Sequence, residues 1–155
     1  MTATVVCRQA EHQDVGPLYE MIEEYARLGI MLPRSRTILE RQIHDFVVAE
    51  IDGVVVGCGS LCMLGQDLVE VRSLGISDGY KGLGIGSKII DELTKQARAR
   101  NIIKIMALTY EVSFFQKNGF TVVEKEIFPE KVWTDCVNCA KQHACDEIAV
   151  LKMLN

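Results

Sequence analysis

One glycine-rich segment constrains this chain more than any other: Val71 to Ile90, VRSLGISDGYKGLGIGSKII. A short apolar run reads as a strand, Ser77 to Gly84 as a loop, and the residues from Ile85 onward as an amphipathic helix. Such a handover belongs in a layered fold where helices cover a sheet. Gly82, Gly84 and Gly86 alternate with Leu83 and Ile85, so backbone N–H groups approach a ligand without side chains in the way. A helix N-terminus behind such a loop attracts phosphate through its N–H groups and its dipole. The segment therefore predicts a site for a phosphate-bearing ligand.

The flanking sequence supplies the other layers. Thr4 to Arg8 reads as a first strand, and Asp14 as the N-cap of a helix whose apolar face is Val15, Leu18, Ile22 and Ala26. Met31 to Arg36 reads as a loop. Ser35 then caps a short helix with Ile38, Leu39 and Ile43 apolar. Phe46 to Ile51 and Val54 to Leu64 are strands joined by the hairpin signal Asp52-Gly53. Leu68 to Ile76 is a further strand. The helix after the glycine loop carries Ile85, Ile89, Ile90, Leu93 and Ala97 on one face. Ile102 to Leu108 reads as a strand, and Val112 to Lys117 as a short helix closed by Asn118-Gly119. Phe120 to Lys125 and Glu147 to Met153 are late strands, with Pro129 to Asp146 a polar excursion between them. The expected fold class is α/β (α+β): one domain over residues 1–155, with a mixed central sheet of six to seven strands flanked by about four helices.

Two nucleotide motifs are excluded by spacing. A phosphate loop of the Walker type needs Gly-Lys-[Ser/Thr], whereas Gly86 is followed by Ser87 and then Lys88. A dinucleotide fingerprint needs G-x-G-x-x-G close behind a first strand, and the spacing here is G-x-G-x-G. A net charge of −4 argues against a nucleic-acid partner. No apolar run reaches the roughly 20 residues of a membrane span. The start MTATVVCRQAEHQD lacks a signal-peptide pattern, and six cysteines without an export signal fit a reducing cytoplasm.

Lys81-Gly82-Leu83-Gly84-Ile85-Gly86 resembles the [Q/R]-x-x-G-x-[G/A] loop of the GNAT superfamily of acyl-CoA-dependent N-acetyltransferases, with Lys81 in place of the usual Gln or Arg. The segment Ser113 to Phe120, SFFQKNGF, resembles that family's final short helix and the start of the strand after it. The resemblance implies acetyl-CoA as cosubstrate, its pyrophosphate on the backbone of Lys81, Gly82, Leu83, Gly84, Ile85, Gly86 and Ser87. It implies that the pantetheine arm runs along Leu74, Gly75 and Ile76, with Phe114 packing on the cosubstrate. A strand N–H near the thioester oxygen would stabilise the developing oxyanion.

Glu70, Arg72 and Leu74 alternate along the strand entering this site, which places them on one face. Glu70 is the candidate base for the acceptor amine, since an α-amine of pKa about 8 is mostly protonated at neutral pH. An ion pair with Arg72 explains the same residue. Family members often carry a tyrosine where this chain has Phe115, so Tyr110 or a water would protonate the leaving thiolate, or the thiolate leaves unaided.

Gly29 to Ile43, GIMLPRSRTILERQI, resembles the short bacterial amino-acid N-acetyltransferases related to N-acetylglutamate synthase, as do Glu70 to Leu74 and the ending from Lys131. That implies a small-molecule amino acid as substrate, L-glutamate in arginine biosynthesis. Arginine suits carboxylates because its planar fork grips both oxygens. Arg34, Ser35 and Arg72 are the substrate-binding candidates, with Ser35 donating only if it does not cap the helix. Some full-length N-acetylglutamate synthases carry an amino-acid-kinase domain in front, and 155 residues leave no room for it. A GNAT acting on another small amine or a protein N-terminus, and a non-catalytic acyl-CoA-binding domain, remain the alternatives. A homodimer is compatible with the sequence.

Cys136, Cys139, His143 and Cys145 could supply four zinc ligands, but one half of the spacing is tight and the other irregular, and free thiols or a disulfide account for the same residues. No metal site is assigned. Trp133 reads as a packing anchor for that segment, and Cys58 and Cys62 as small core residues.

Overall fold

The computed structural model describes residues 4–29, 31–124 and 147–154. Its strands and helices follow the chain in the order β1 (Val5–Gln9), α1 (Val15–Arg27), α2 (Arg36–Gln42), β2 (Phe46–Ile51), β3 (Val54–Met63), β4 (Leu68–Ile76), α3 (Ile85–Ala99), β5 (Lys104–Thr109), α4 (Val112–Lys117), β6 (Thr121–Val123) and β7 (Ile148–Met153). Short 3-10 turns precede α1 and follow α2. The strands form a seven-stranded mixed sheet in the order β1-β2-β3-β4-β5-β7-β6. The chain groups into two compact units, residues 1–61 with 72–93 and residues 62–71 with 94–155.

In the first unit, β1, β2 and β3 pair antiparallel. Asp52 and Gly53 turn β2 into β3 with φ of 52° and 79°, the left-handed pair that matches the twist of the flanking strands. The core on one face joins Leu18 and Ile22 of α1, Leu39 of α2, Phe46 and Val48 of β2 and Cys58 of β3. Leu18, Ile22 and Leu39 are fully buried, so truncating any one to alanine costs about 2–5 kcal/mol. From α3, Ile85, Ile89, Ile90 and Leu93 are buried as their periodicity predicts. The helix lies close on β3 because Gly57 and Gly59 have no side chain. A Cβ on Gly59 would stand 2.9 Å from Ile89 and 3.2 Å from Leu93.

Several local expectations are corrected here. Asp14 stands at the N-cap of α1, but its side chain caps nothing in that helix. Its carboxylate instead accepts the Glu11 N–H at 2.7 Å and two Arg8 guanidinium bonds at 2.8 and 3.1 Å. Ile38 is exposed and Ala26 only half-buried, because the helices turn those positions away from the apolar stripe. Cys58 is a core residue, whereas Cys62 is only partly buried near the end of β3.

In the second unit, the first residues of β4, Leu68 to Glu70, pair parallel with Lys104 to Met106 of β5. Strand β7 pairs antiparallel with both β5 and β6. Leu68, Met106 and Ala149 form a small core with Leu108, Val123 and Leu151 against it. Phe115 and Phe120 meet edge to face at 5.0 Å, and Gly119, with φ of 91°, closes α4 between them. The excursion carrying Trp133, Cys136, Cys139, His143 and Cys145 lies outside the described residues.

Candidate active site

The loop after β4 keeps its glycines for conformation rather than space. Gly82 and Gly84 have φ of 79° and 78°, and a Cβ at either would touch nothing within 4 Å. Gly86 differs, since it already lies in the first turn of α3. Lys88 N–H bonds back to the Gly84 carbonyl at 3.2 Å, so the amides of Ile85 and Gly86 precede the first helical bond and have no acceptor within their own helix. Lys81, Gly82, Leu83 and Gly84 are exposed, Gly86 and Ser87 half-buried and Ile85 buried. Lys81 Nζ stands 3.6 Å from the Asp78 carboxylate and 5.5 Å from the centre of the Tyr25 ring. The loop thus offers glycine amides, a helix start and an exposed ammonium, which together suit a phosphate group.

Strand β4 departs from a regular strand just before this loop. Its register with β5 covers only Leu68 to Glu70. Ser73 has a φ of 54°, left-handed for a residue that is not glycine. Ser73 lies between Arg72 and Leu74, so simple alternation does not carry from Arg72 to Leu74, which corrects that part of the sequence reading. Leu74 reaches toward α3, its Cδ1 3.3 Å from where a Cβ on Gly59 would stand. Ser73 is instead linked to Arg34, whose Nε–H donates to its hydroxyl oxygen at 3.4 Å. Arg34 and Arg72 are both half-buried. Ser35, the third acceptor candidate, has its oxygen engaged as the cap of α2, accepting the Ile38 N–H at 3.2 Å.

Tyr25 of α1 is the residue the sequence reading missed. Its ring lies on Gly75, where a Cβ would come within 2.8 Å of it. Its hydroxyl donates to the Ile76 carbonyl at 2.7 Å and accepts the Ile76 N–H at 3.0 Å. Ser77 N–H bonds to Val56 of β3 at 2.8 Å, so Ile76, one residue earlier, directs its polar groups to the opposite edge of β4. Tyr25 sits at that edge. A lone glycine inside a strand pattern signals such a close approach, and Gly75 was the available clue.

A cleft of about 780 Å³ opens beside α1 and the start of the loop, lined by Glu20, Glu24, Tyr25, Ile76, Asp78 and Lys81 among others. Its carboxylates make it a poor receptor for an anion, and neither Arg34 nor Arg72 lines it.

In the second unit, Glu70 is 2% exposed. Phe114 is half-buried and meets Phe115 edge to face at 5.2 Å, while Phe115 itself is core. Tyr110 is 41% exposed.

The Acetyltransferase (GNAT) family model matches residues 10–120. The chain belongs to the GNAT acetyltransferase family. An uncharacterized N-acetyltransferase of Chlorobaculum tepidum is 37% identical over 99% of this chain and all of its own length. An amino-acid acetyltransferase of Mycobacterium tuberculosis is 35% identical over 81% of this chain and 76% of its own. Among solved GNAT structures, N-acetylglutamate synthase from Neisseria gonorrhoeae, complexed with coenzyme A and N-acetyl-glutamate, superposes with a TM-score of 0.86 at 26% identity. The alignment covers all of this chain and 36% of that one. A Mycobacterium tuberculosis protein in complex with CoA superposes with a TM-score of 0.84 at 30% identity, over 97% of this chain and 99% of its own. Family membership makes this chain an N-acetyltransferase. Among the described residues, no group of three or more His, Cys, Asp or Glu side chains is arranged to hold a metal ion, and no helix is long and apolar enough to cross a membrane.

Proposed function

We propose that this chain transfers the acetyl group of acetyl-CoA directly to the α-amine of an amino acid, and that the amino acid is L-glutamate, the reaction that opens arginine biosynthesis. The observation that carries the reading is Arg34, held beside β4 by its Nε–H bond to the Ser73 hydroxyl at 3.4 Å, with Arg72 adjacent to Ser73 in the sequence of that strand. Two guanidinium groups suit an acceptor with two carboxylates. Relatives named amino-acid acetyltransferase, and a structural neighbour holding N-acetyl-glutamate, support the same substrate class.

The cosubstrate's pyrophosphate rests on the amides of Gly82 to Ser87 at the head of α3, and its pantetheine arm follows Leu74 to Ile76. At Ile76 the arm exchanges with the Tyr25 hydroxyl, which holds both backbone polar groups there. Glu70, buried and two residues ahead of Arg72, removes a proton from the ammonium, directly or through water. The freed nitrogen lone pair attacks the thioester carbon. The C–N bond forms, the C–S bond breaks, the nitrogen gives up its second proton to solvent as the amide forms, and the thiolate leaves to be protonated from Tyr110 or solvent.

Thiol-release kinetics test these roles separately. Arg34→Ala should raise the KM for the amino acid about tenfold or more while leaving that for acetyl-CoA unchanged. Equal effects on both would make Arg34 structural. Glu70→Gln should slow turnover at neutral pH and be partly rescued at higher pH, where the free amino acid's amine, more basic than the roughly 8 of a peptide α-amine, begins to lose its proton unaided. A pH profile parallel to the wild type would remove Glu70 as the base.

A further inference from the structure

The irregularity in β4 is held from one side by two side chains of β3. Cys58 Sγ–H donates to the Ser73 carbonyl at 3.2 Å, and Ser60 Oγ–H donates to the Arg72 carbonyl at 3.1 Å. In a regular strand, consecutive carbonyls point to opposite edges, so one neighbouring strand does not normally serve both. Here the left-handed Ser73 turns the backbone, and two successive carbonyls are reached from β3. Cys58 and Ser60 lie two residues apart, on one face of that strand. Both donors are buried, at 0% and 6% exposure, and Ser73 at 9%, so little water competes for these bonds. Burial pushes the Cys58 thiol up to about 12, against an opposing Gly75 backbone hydrogen bond, and the thiol stays protonated as a donor at neutral pH. Its sulfur also lies 3.6 Å from Met21 Sδ of α1.

We propose that Cys58 and Ser60 are positioning residues for the acceptor, a side-chain clamp that sets the backbone turn presenting Arg72 and Ser73, and through Ser73 the Arg34 guanidinium. The clamp rests on the acceptor reading of Arg34 and Arg72 given above. It touches neither substrate. Its effect is the placement of the groups that do, and small displacements of such groups are costly because recognition depends on their geometry.

The test compares Cys58→Ala, Cys58→Ser and Ser60→Ala in the full chain by steady-state kinetics and by amide hydrogen exchange across residues 70–76. The alanine at Cys58 leaves a buried carbonyl without its donor, and should raise the amino-acid KM about tenfold with acetyl-CoA KM changed by less than about twofold. Exchange at residues 72–74 should speed up. Cys58→Ser retains a donor and should recover most of the loss. Ser60→Ala should act in the same direction, and the double alanine variant should be non-additive, since both act on one turn. The clamp is overturned if acetyl-CoA KM rises as much as that of the amino acid, if serine at Cys58 is as damaging as alanine, or if exchange at 72–74 is unchanged. A wild-type enzyme that acetylates no amino acid would sink the acceptor reading instead. The exchange measurement would then decide the clamp alone, with unchanged exchange overturning it.

Discussion

A single tyrosine oxygen organises the end of β4. Tyr25 satisfies both polar groups of Ile76, and it reaches them only because Gly75 has no Cβ. Gly75→Ala should therefore displace the ring and loosen Ile76, destabilising the fold by about 1–3 kcal/mol and raising the acetyl-CoA KM more than that of the acceptor. Denaturant titration and thiol-release kinetics would read the two effects, and an alanine variant equal to wild type in both would refute this role for Gly75. Residue-level features of this kind were the least legible in the sequence. Tyr25 reads only as one more position of an amphipathic helix, and its partner lies 51 positions away. Ser73 has no local signal for a left-handed conformation, so period-two alternation reads straight through it. Ser35 was legible, because a serine before a short helix has a strong local reason to cap it.

At the scale of elements, the start of α1 is tied to the sheet by charge. Arg8 of β1 grips Asp14 ahead of α1 and also reaches Glu50 of β2, at 3.3 Å. Burial pushes the Asp14 carboxyl up, but the Arg8 guanidinium and the Glu11 N–H together outweigh it and hold the carboxyl below the usual range. A carboxylate with a depressed folded pKa contributes stability that is complete above its unfolded pKa of about 3.9, and this is lost as pH falls toward the folded value. Wild type should thus lose part of its denaturation midpoint between about pH 5 and pH 3. Asp14→Asn should be less stable at neutral pH by about 1–3 kcal/mol and show a flatter acid limb. Parallel curves for the two proteins would assign the acid sensitivity elsewhere. Sequence reading located the helix start and mistook the use of its acid, since a capping residue and a cross-element ion pair look alike in one dimension. The elements themselves were legible wherever periodicity and turn chemistry agreed. Asp52-Gly53 adopts the left-handed pair its composition predicts, and α3 buries the five residues its spacing marks.

For the molecule as a whole, the glycine loop led the sequence reading to the layered fold, and the seven-stranded sheet bears that out. The same architecture forms 36% of the longer N-acetylglutamate synthase chain it resembles. The loop's backbone geometry suits the cosubstrate end of the reaction more completely than any group in the sheet suits the acceptor end. In the proposed reading the acceptor depends on two arginines, and a lone arginine carries no local motif comparable to the glycine loop, which is why the sequence spoke more plainly of the cofactor than of the amine. The most direct measurement is transfer of an isotopically labelled acetyl group from acetyl-CoA into an equimolar pool of the common amino acids, with products identified by mass spectrometry. Label on the α-amine of glutamate, dependent on Arg34, is the predicted result. Label on no amino acid, or on an amine with no acidic side chain ahead of glutamate, would contradict it.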